Sequence, residues 1–220
     1  MPRSRTRIFV VDDHPMVQEW LATYLHTQPG LEVCGHASEM KEALGAIQMA
    51  RPDIAIIDLF LKGGSGLDLI KDLKVHCPNL DIIVLSMHEE ISYAERALRA
   101  GARGYVTKRE STGKIVEAIR EVRAGRVYAS PEMMAGLTAR IVGQTEPRAA
   151  EPVESLSDRE IEVFRRLGLG QGTRDIATEL GLSLPTVQTY CSRIKEKLGI
   201  ATGNELLREA VRWVQAQQTR

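Results

Sequence analysis

Five polar side chains follow short apolar runs in the first half of the sequence, at positions where buried strands would end. Those side chains are Asp12, Asp13, Asp58, Ser86 and Lys108. Ligands of a doubly wound parallel sheet bind beyond the carboxyl ends of its strands, so we expect this set to converge on one edge. Three carboxylates in one cleft repel each other, and such an arrangement is tolerable when a hard divalent cation lies among them. The set therefore predicts a site for Mg²⁺ and a phosphoryl group, whose remaining oxygens the ammonium and the hydroxyl would hold.

Each of these residues also has an ordinary structural explanation when it is taken alone. Asp12 or Asp13 could cap a helix ahead of Pro15. The other three could be common turn or loop residues. Coincidence at four predicted strand ends is improbable, so the joint pattern favours a site over five separate explanations.

From residue 7 to about 124, short β-branched runs alternate with segments of helical period. These elements would position the five polar side chains. The predicted strands are Arg7–Val11, Leu31–Gly35, Ile54–Asp58, Ile82–Ser86 and Gly104–Thr107. The predicted helices between them are Met16–Thr27, Lys41–Ala50, Leu67–Val75, Tyr93–Ala100 and Thr112–Arg123. This alternation is typical of βαβ units and predicts an α/β fold, a doubly wound five-stranded parallel sheet with helices on both faces.

Residues 5–124 resemble the receiver domain of bacterial response regulators. The matching residues are the pair Asp12-Asp13, the lone Asp58, Ser86, and Tyr105 with Lys108 three positions later. The resemblance implies a flavodoxin-like strand order, 2-1-3-4-5. It also implies that Asp13 and Asp58 ligate Mg²⁺ directly, together with the backbone carbonyl of Phe60. Asp12 would act mainly through water.

The same resemblance implies a reaction. Asp58 would attack a phosphoryl group delivered by a phosphohistidine on a sensor histidine kinase. Lys108 and Ser86 would bind the resulting acyl phosphate. Tyr105 would be an aromatic switch that turns inward when Ser86 moves.

Two positions depart from the usual receiver pattern. Lys62 stands where proline is common, and Arg109 follows Lys108 where a proline in a cis peptide bond is frequent. Because a cis bond without proline costs about 3 kcal/mol, we do not expect one at 108–109. The glycines that allow the first of these turns to close without proline are Gly63, Gly64 and Gly66. Neither departure removes a reacting group.

Phe60 and His88 each lie two positions beyond a site residue, so both should flank the phosphoryl group. A bulky Phe60 would exclude the attacking water and lengthen the life of the acyl phosphate. For His88 we favour packing or contact with solvent, and a general base is the alternative.

From residue 155 onward the sequence contains only helical patterns. Ser157 and Glu160 form an S-x-x-E capping box that opens a helix to about Leu169. The three helices predicted after it are Thr173–Leu180, residues 184–198 capped by Ser183, and Asn204–Gln217. Two short helices joined at a glycine turn are typical of a helix-turn-helix domain.

The third of these helices has an apolar stripe and an opposite polar face. The stripe, which should face the core, consists of Val187, Cys191, Ile194 and Leu198. The residues available to read the major groove of double-stranded DNA are Gln188, Thr189, Ser192 and Arg193. The cations placed to bind DNA phosphates are Arg174, Lys195 and Lys197. A polar face that meets only solvent is the alternative for the uncharged members of this set.

Residues 155–200 resemble the DNA-binding domain of NarL/FixJ (LuxR-type) response regulators. The matches include Leu156-Ser157, Arg159-Glu160, Asp175-Ile176-Ala177, Leu180-Gly181, Thr186-Val187 and Lys197-Leu198-Gly199. Gln188 and Ser192 stand where lysine is common, and Tyr190 where histidine is usual, so the operator sequence does not transfer. We expect Tyr190 to pack, because it lies about 60° from the apolar stripe. The implied function is a two-component transcription regulator in which phosphorylation favours a DNA-binding homodimer.

Two other classes of function use the same residues. A phosphohydrolase or phosphotransferase with an aspartyl-phosphate intermediate would turn over a small phosphate ester steadily, but the helix-turn-helix pattern argues against it. A binding module controlled by partners alone would not need the complete acidic set. We therefore expect a regulator and not an enzyme.

Composition and length set the remaining expectations. The chain is 43 % hydrophobic and 26 % charged with a formal net charge of zero, which is typical of a globular protein. It shows neither a long apolar run nor a signal-peptide pattern, which favours a cytoplasmic protein without a membrane partner. Its cysteines form no CxxC pair, so we expect neither a zinc site nor a disulfide framework. The predicted domains are a receiver at 1–124, a linker with a possible short helix at 125–154, and the DNA-binding domain at 155–220.

Overall fold

The computed structural model describes the parts of the chain at residues 5–61, 64–87, 91–141 and 152–218. The predictions made for Lys62, Gly63, His88 and residues 142–151 of the linker fall outside these residues. The chain divides into two compact units, residues 1–142 and 143–220.

The first unit is built on a five-stranded sheet. Its strands in chain order are β1 Thr6–Val11, β2 Leu31–Ala37, β3 Ile54–Ile57, β4 Asp81–Ser86 and β5 Gly104–Thr107. Every pairing in this sheet is parallel, and the order across it is β2-β1-β3-β4-β5. The predicted order 2-1-3-4-5 is confirmed. The central strand β3 is buried along its whole length, because helices cover both faces of the sheet.

Five helices connect and cover these strands. Their bounds are α1 Pro15–His26, α2 Met40–Ala50, α3 Gly66–His76, α4 Ile91–Ala100 and α5 Thr112–Arg123. Side chains alternate across a strand, so Ile8 and Val10 of β1 point to one face of the sheet. There they join a core with Leu21 of α1 and Ile119 of α5. The helices α2, α3 and α4 pack side by side, as expected for the opposite face.

Residues 126–141 add to the first unit. The amide of Tyr105 donates to the Tyr128 carbonyl (2.8 Å), and the amide of Tyr128 donates to the Arg103 carbonyl (2.9 Å). Helix α6, Pro131–Ile141, follows and packs on α4. The short helix predicted beyond residue 124 is present, but its contacts group it with the first unit and not with the rest of the predicted linker.

The second unit is helical in the part that the structure describes. After a short 3-10 turn at Pro152–Ser155 come α7 Asp158–Gly168, α8 Thr173–Glu179, α9 Leu184–Leu198 and α10 Gly203–Gln218. Among all described residues, no helix is long and apolar enough to cross a membrane.

The predicted caps of the second unit are formed. Ser157 Oγ accepts from the Glu160 amide (3.4 Å), and Glu160 Oε2 accepts from the Ser157 amide (2.7 Å). Ser183 Oγ accepts from the Thr186 amide (3.2 Å) at the start of α9. Gly199 ends that helix with φ of 66°, a conformation that glycine adopts without steric cost. These caps satisfy backbone amides that a helix end would otherwise leave unpaired.

The apolar stripe of α9 faces the core only in part. Val187 and Ile194 are fully buried, whereas Cys191 and Leu198 are half-buried. The stripe was thus predicted correctly at Val187 and Ile194, and its other two members lie at the margin of the core.

The packing of α6 on α4 generates a first prediction. A Cβ added at Gly136 would lie 2.2 Å from Ile91 Cδ1, so Gly136→Ala should overpack this contact and lower the free energy of unfolding by about 1 kcal/mol. Ile91→Val deletes the clashing carbon, and Gly136→Ala in that background should be neutral or stabilising. Urea unfolding of the four variants in the cycle measures both effects.

Gly45 provides the matched control. It lies inside α2, and a Cβ built there meets nothing within 4 Å. Gly45→Ala should therefore raise the free energy of unfolding by roughly 0.5–1 kcal/mol, the ordinary helix-propensity gain. An equal gain from Gly136→Ala would contradict the described contact between α6 and α4.

Candidate functional site

The carboxyl ends of four strands bring the predicted polar set together. Asp58 directly follows β3, and its amide donates to the Val11 carbonyl at the end of β1 (2.8 Å). Lys108 directly follows β5, and its amide donates to the carbonyl of Ser86, the last residue of β4 (2.7 Å). These hydrogen bonds extend the pairing of the strands by one residue, so the backbone at Asp58 and Lys108 is constrained as it is within the sheet.

Lys108 lies between two buried carboxylates. Its Nζ is 2.6 Å from Asp12 Oδ2 and 2.6 Å from Asp58 Oδ2. All three side chains are almost entirely withdrawn from solvent. Because water screens the contact so little, each attraction is stronger than the same contact at the protein surface.

The electrostatics of the site favour a charged lysine. Burial alone would lower the pKa of Lys108, but the carboxylates of Asp58 and Asp12 outweigh it and raise that pKa. Burial raises the pKa of the Asp58 carboxyl, with Lys108 opposing the shift and Asp12 adding to it. A divalent cation at this position would favour the ionised carboxylate of Asp58 in the same way as Lys108 does.

The cluster fits a hard divalent cation. Asp12, Asp13, His14 and Asp58 each offer a ligand atom, and these atoms lie within 4.8 Å of one another. Among the described residues, none donates a hydrogen bond to the buried Oδ1 of Asp13, although His14 Nδ1 lies 2.8 Å away. An unpaired buried carboxylate oxygen among other carboxylates is the donor chemistry that Mg²⁺ prefers.

The turn after Asp58 closes tightly. Phe60 and Leu61 pair antiparallel with a two-residue strand that ends at Ser65, and the amide of Gly66 donates to the Leu59 carbonyl (2.8 Å). A Cβ at Gly66 would lie 2.1 Å from the Asp58 carbonyl oxygen, so only glycine allows α3 to begin here. The predicted use of glycine in this turn, where proline is common, is confirmed at Gly66.

Phe60 contacts the site through its backbone. Its amide lies 3.3 Å from Asp58 Oδ1 and donates to it. Its ring packs edge-on against Tyr93 of α4, with 5.6 Å between the ring centroids. The proposed ligand role of the Phe60 carbonyl and the shielding role of its ring stay predictions.

Ser86 and Tyr105 are both fully buried. Ser86 pairs in register with Thr107, the residue before Lys108, so its position at the strand end is fixed by the sheet. The side chain of Tyr105 lies inward in this structure. Its role as a switch stays a prediction. The peptide bond between Lys108 and Arg109 is trans.

Two residues that the sequence reasoning did not single out contact the acidic pair. The backbone amide of His14 donates to Asp12 Oδ1 (2.9 Å), and its position beside Asp12-Asp13 was the available signal. Gln18 is a buried polar residue that donates to the Asp12 carbonyl (2.5 Å). It shares a face of α1 with Leu21 and Leu25, so a polar residue on an apolar stripe was its signal.

The predicted DNA-reading face of α9 is exposed. Its members are Gln188, Thr189, Ser192 and Arg193. Thr189 Oγ1 donates to the Pro185 carbonyl (2.9 Å), and Ser192 Oγ donates to the Gln188 carbonyl (3.1 Å). These hydroxyls bond to the helix backbone, so in this arrangement their oxygens remain able to accept from a base. Tyr190 is half-buried, as a packing role requires.

The three predicted phosphate-binding cations differ in their surroundings. Arg174 is exposed and Lys195 half-buried. Lys197 Nζ instead lies 2.7 Å from Glu160 Oε2 and 3.3 Å from the Ser155 carbonyl. Lys197 thus joins the end of α9 to the start of α7, and a phosphate would compete with this internal partner.

Glu160 is the centre of that connection. Burial would raise the pKa of its carboxyl, but hydrogen bonds from Lys197 and Ser157 outweigh burial and hold the pKa below its ordinary value. The same carboxylate closes the capping box of α7 and pairs with α9. It therefore fixes the orientation of the helix that would read DNA.

Two family profiles match the chain. The response regulator receiver domain matches residues 8–120, and the luxR family of bacterial regulatory proteins matches residues 154–210. The chain belongs to the response-regulator family. It is a two-component response regulator with a LuxR-type DNA-binding domain, and thus a transcription regulator and not a phosphohydrolase.

Individual relatives agree with this assignment. The DNA-binding transcriptional activator DevR/DosR of Mycobacterium tuberculosis is 34 % identical over 194 residues, 88 % of each chain. A LuxR-family response regulator from Aurantimonas superimposes with a TM-score of 0.60 at 33 % identity, over 63 % of this chain and 99 % of its own. RcsB of Salmonella enterica serovar Typhimurium, bound to the promoter rprA in the presence of the phosphomimetic BeF3⁻, superimposes with a TM-score of 0.60. RcsB is 25 % identical, over 93 % of this chain and 98 % of its own.

The Glu160–Lys197 pair generates a pH-dependent prediction for this response regulator. Because the pKa of Glu160 is lowered in the folded state, its stabilising contribution is present above the ordinary carboxyl pKa of 4.5 and is lost as pH falls through the folded value. Glu160→Gln should cost about 1–3 kcal/mol in the free energy of unfolding at pH 7. That deficit should shrink as the pH is lowered below 4.5. Urea unfolding at several pH values measures it.

Glu196→Gln is the matched control, because Glu196 is an exposed residue of the same helix as Lys197. It should change the free energy of unfolding little at any of these pH values. A deficit of Glu160→Gln that stays constant from pH 7 to pH 3 would show that the ionised carboxylate does not hold the two helices together.

Proposed function

We propose that this response regulator accepts a phosphoryl group on Asp58 from a sensor histidine kinase, in a reaction that depends on Mg²⁺. The observation that carries the proposal is the buried ammonium of Lys108, 2.6 Å from Asp58 in a cluster of carboxylates at the strand ends. Phosphorylation would favour a homodimer that binds specific sequences of double-stranded DNA and so control transcription. A cytoplasmic location belongs to this proposal, because the kinase domain and the DNA lie there.

In the proposed reaction a carboxylate oxygen of Asp58 forms a bond to phosphorus, and the bond from phosphorus to the kinase histidine nitrogen breaks. The released imidazole keeps the electron pair of that bond and takes up a proton. The amide of Phe60 orients the Asp58 carboxylate by donating to Oδ1. Lys108 and the hydroxyl of Ser86 would bind oxygens of the transferred group, and Tyr105 would respond to the displacement of Ser86.

The residues that would hold Mg²⁺ are Asp13 and Asp58, with the Phe60 carbonyl as a further ligand and Asp12 acting through water. When bound, the cation neutralises negative charge on the phosphoryl oxygens. The single ammonium of Lys108 faces the carboxylates of Asp12 and Asp58 in a cluster of three, and a divalent ion would add positive charge there.

For DNA binding we propose that α9 enters the major groove. Gln188, Thr189, Ser192 and Arg193 would contact base edges, and Arg174, Lys195 and Lys197 would contact phosphates. The exposure of the four reading residues supports the first part. A relative bound to promoter DNA, RcsB, shares the fold over most of the chain.

Phosphorylation control is tested with the full chain. Wild type and Asp58→Ala are treated with Mg²⁺ and acetyl phosphate, and each is used to select duplexes from a random DNA pool. Wild type should gain one phosphoryl group, seen by intact-mass spectrometry, and enrich a sequence motif. Asp58→Ala should remain unlabelled and enrich that motif more weakly.

Asp68→Ala is the matched control, because Asp68 is an exposed carboxylate of the nearby helix α3. It should be labelled and bind DNA as wild type does. Labelling of Asp58→Ala would remove Asp58 as the acceptor. Equal DNA binding by treated wild type and Asp58→Ala would reject control by phosphorylation but not DNA binding itself.

A further prediction concerns the lifetime of the acyl phosphate. If the ring of Phe60 shields the phosphoryl group from water, Phe60→Ala should raise the rate of dephosphorylation several-fold. Loss of the acid-labile phosphorylated species after removal of the phosphodonor measures this rate. Phe60→Leu retains apolar bulk and should stay close to wild type, whereas an unchanged rate in Phe60→Ala would end the shielding hypothesis.

A further inference from the structure

Gln18 joins three separate segments of the first unit through one side-chain amide. Its Nε2 donates to the Asp12 carbonyl after β1 (2.5 Å) and to the Ala37 carbonyl at the end of β2 (3.1 Å). It also lies 3.2 Å from Ser38 Oγ in the loop after β2. The side chain itself belongs to α1. One buried amide therefore connects the helix to the loops that follow both strands.

The bond from Gln18 to the Asp12 carbonyl orients the peptide group between the two acidic residues. That carbonyl belongs to the peptide group between Asp12 and Asp13, and a peptide group is planar. A bond that holds this oxygen therefore fixes the last backbone torsion of Asp12 and the first of Asp13 together. Those two torsions decide whether both carboxylates can face Asp58.

The alternative, that Gln18 only fills space in the core, does not explain its polarity. It lies on the buried stripe of α1 with Leu21 and Leu25. A polar amide in such a place is costly unless it is hydrogen-bonded, and an apolar residue would pack there without that requirement. The bonds to the carbonyls of Asp12 and Ala37 explain the amide, because they satisfy its donor group inside the core. The Ala37 carbonyl also accepts from the Asp12 amide (3.2 Å), so the bond to the Asp12 carbonyl is the one that depends on Gln18.

We propose that Gln18 is a positioning residue for the acidic pair: by holding the Asp12–Asp13 peptide group it sets the affinity of the cluster for a divalent cation. This inference rests on the proposed function, which requires that cation. It assigns no contact between Gln18 and the cation or the phosphoryl group. The effect passes through the backbone of Asp12.

The test compares Gln18→Met with Gln48→Met in the full chain. Methionine keeps the unbranched shape of glutamine but has no donor. Gln48 is exposed on α2 and serves as the control for the same exchange. Titration calorimetry with MgCl₂ measures the dissociation constant. Gln18→Met should bind Mg²⁺ about tenfold to a hundredfold more weakly than wild type, the usual range for groups that orient metal ligands.

A positioning role has a second signature. Raising the Mg²⁺ concentration should restore phosphorylation of Gln18→Met by acetyl phosphate toward the wild-type rate, because the reacting groups are all present. Gln48→Met should match wild type in both measurements. A dissociation constant for Gln18→Met within twofold of wild type would overturn the proposal.

A measurement on wild type keeps the proposal open to refutation if Gln18→Met does not fold. Side-chain amide protons that are buried and bonded to carbonyls exchange slowly with water, so those of Gln18 should exchange far more slowly than those of Gln48. Equal exchange rates by NMR would overturn the proposal without any variant. Failure of the proposed function looks different, since wild type would then bind Mg²⁺ without gaining a phosphoryl group on Asp58.

Discussion

The attraction between the Lys108 ammonium and the carboxylates of Asp12 and Asp58 is the constraint on which the acidic site depends. Two unit charges about 4 Å apart attract by about 4 kcal/mol at the effective dielectric of a protein site, and both contacts here are shorter. One ammonium cannot balance three carboxylates, and the buried Oδ1 of Asp13 accepts no hydrogen bond among the described residues, although His14 Nδ1 lies 2.8 Å away. The site is therefore held together and yet left short of positive charge. That combination suits a position where a divalent cation and a phosphoryl group bind together.

The fold makes this concentration of charge tolerable. Strands such as β3 are entirely apolar, so the free energy of burying them fixes where each strand ends and thus where Asp58 begins. Because Gly66 has no side chain, α3 can begin in close contact with the Asp58 carbonyl, and this contact constrains the backbone after β3. Gln18 donates to the Asp12 carbonyl and so holds the turn that follows β1. Backbone contacts at these two turns position the carboxylates. The constrained backbone therefore opposes their mutual repulsion.

Features that depend on local sequence could be predicted, and features that depend on packing could not. Strand ends follow from apolar runs, and the caps at Ser157 and Ser183 follow from residue type, so the strand ends and both helix starts could be anticipated. The strand order was implied by the resemblance to receiver domains and not by the apolar runs. The pairing of Lys197 with Glu160 spans 37 positions and needs the helices to be packed first. The hydrogen bonds of Tyr128 to the sheet edge are similar, because nothing in the segment 125–142 marks it as part of the first unit.

In the proposed mode of DNA binding, the reading helix α9 would meet the major groove with few free cations. Gln188 and Ser192 replace charge with neutral hydrogen-bonding groups on α9, and Lys197 is engaged with Glu160. Each phosphate contact that is missing removes a share of the salt-dependent binding that is common to all sequences. One copy should then bind DNA weakly, whereas two copies on adjacent half-sites add their binding free energies. Weak cationic contact per copy would thus make DNA binding depend on assembly, which is the step that phosphorylation of Asp58 would control.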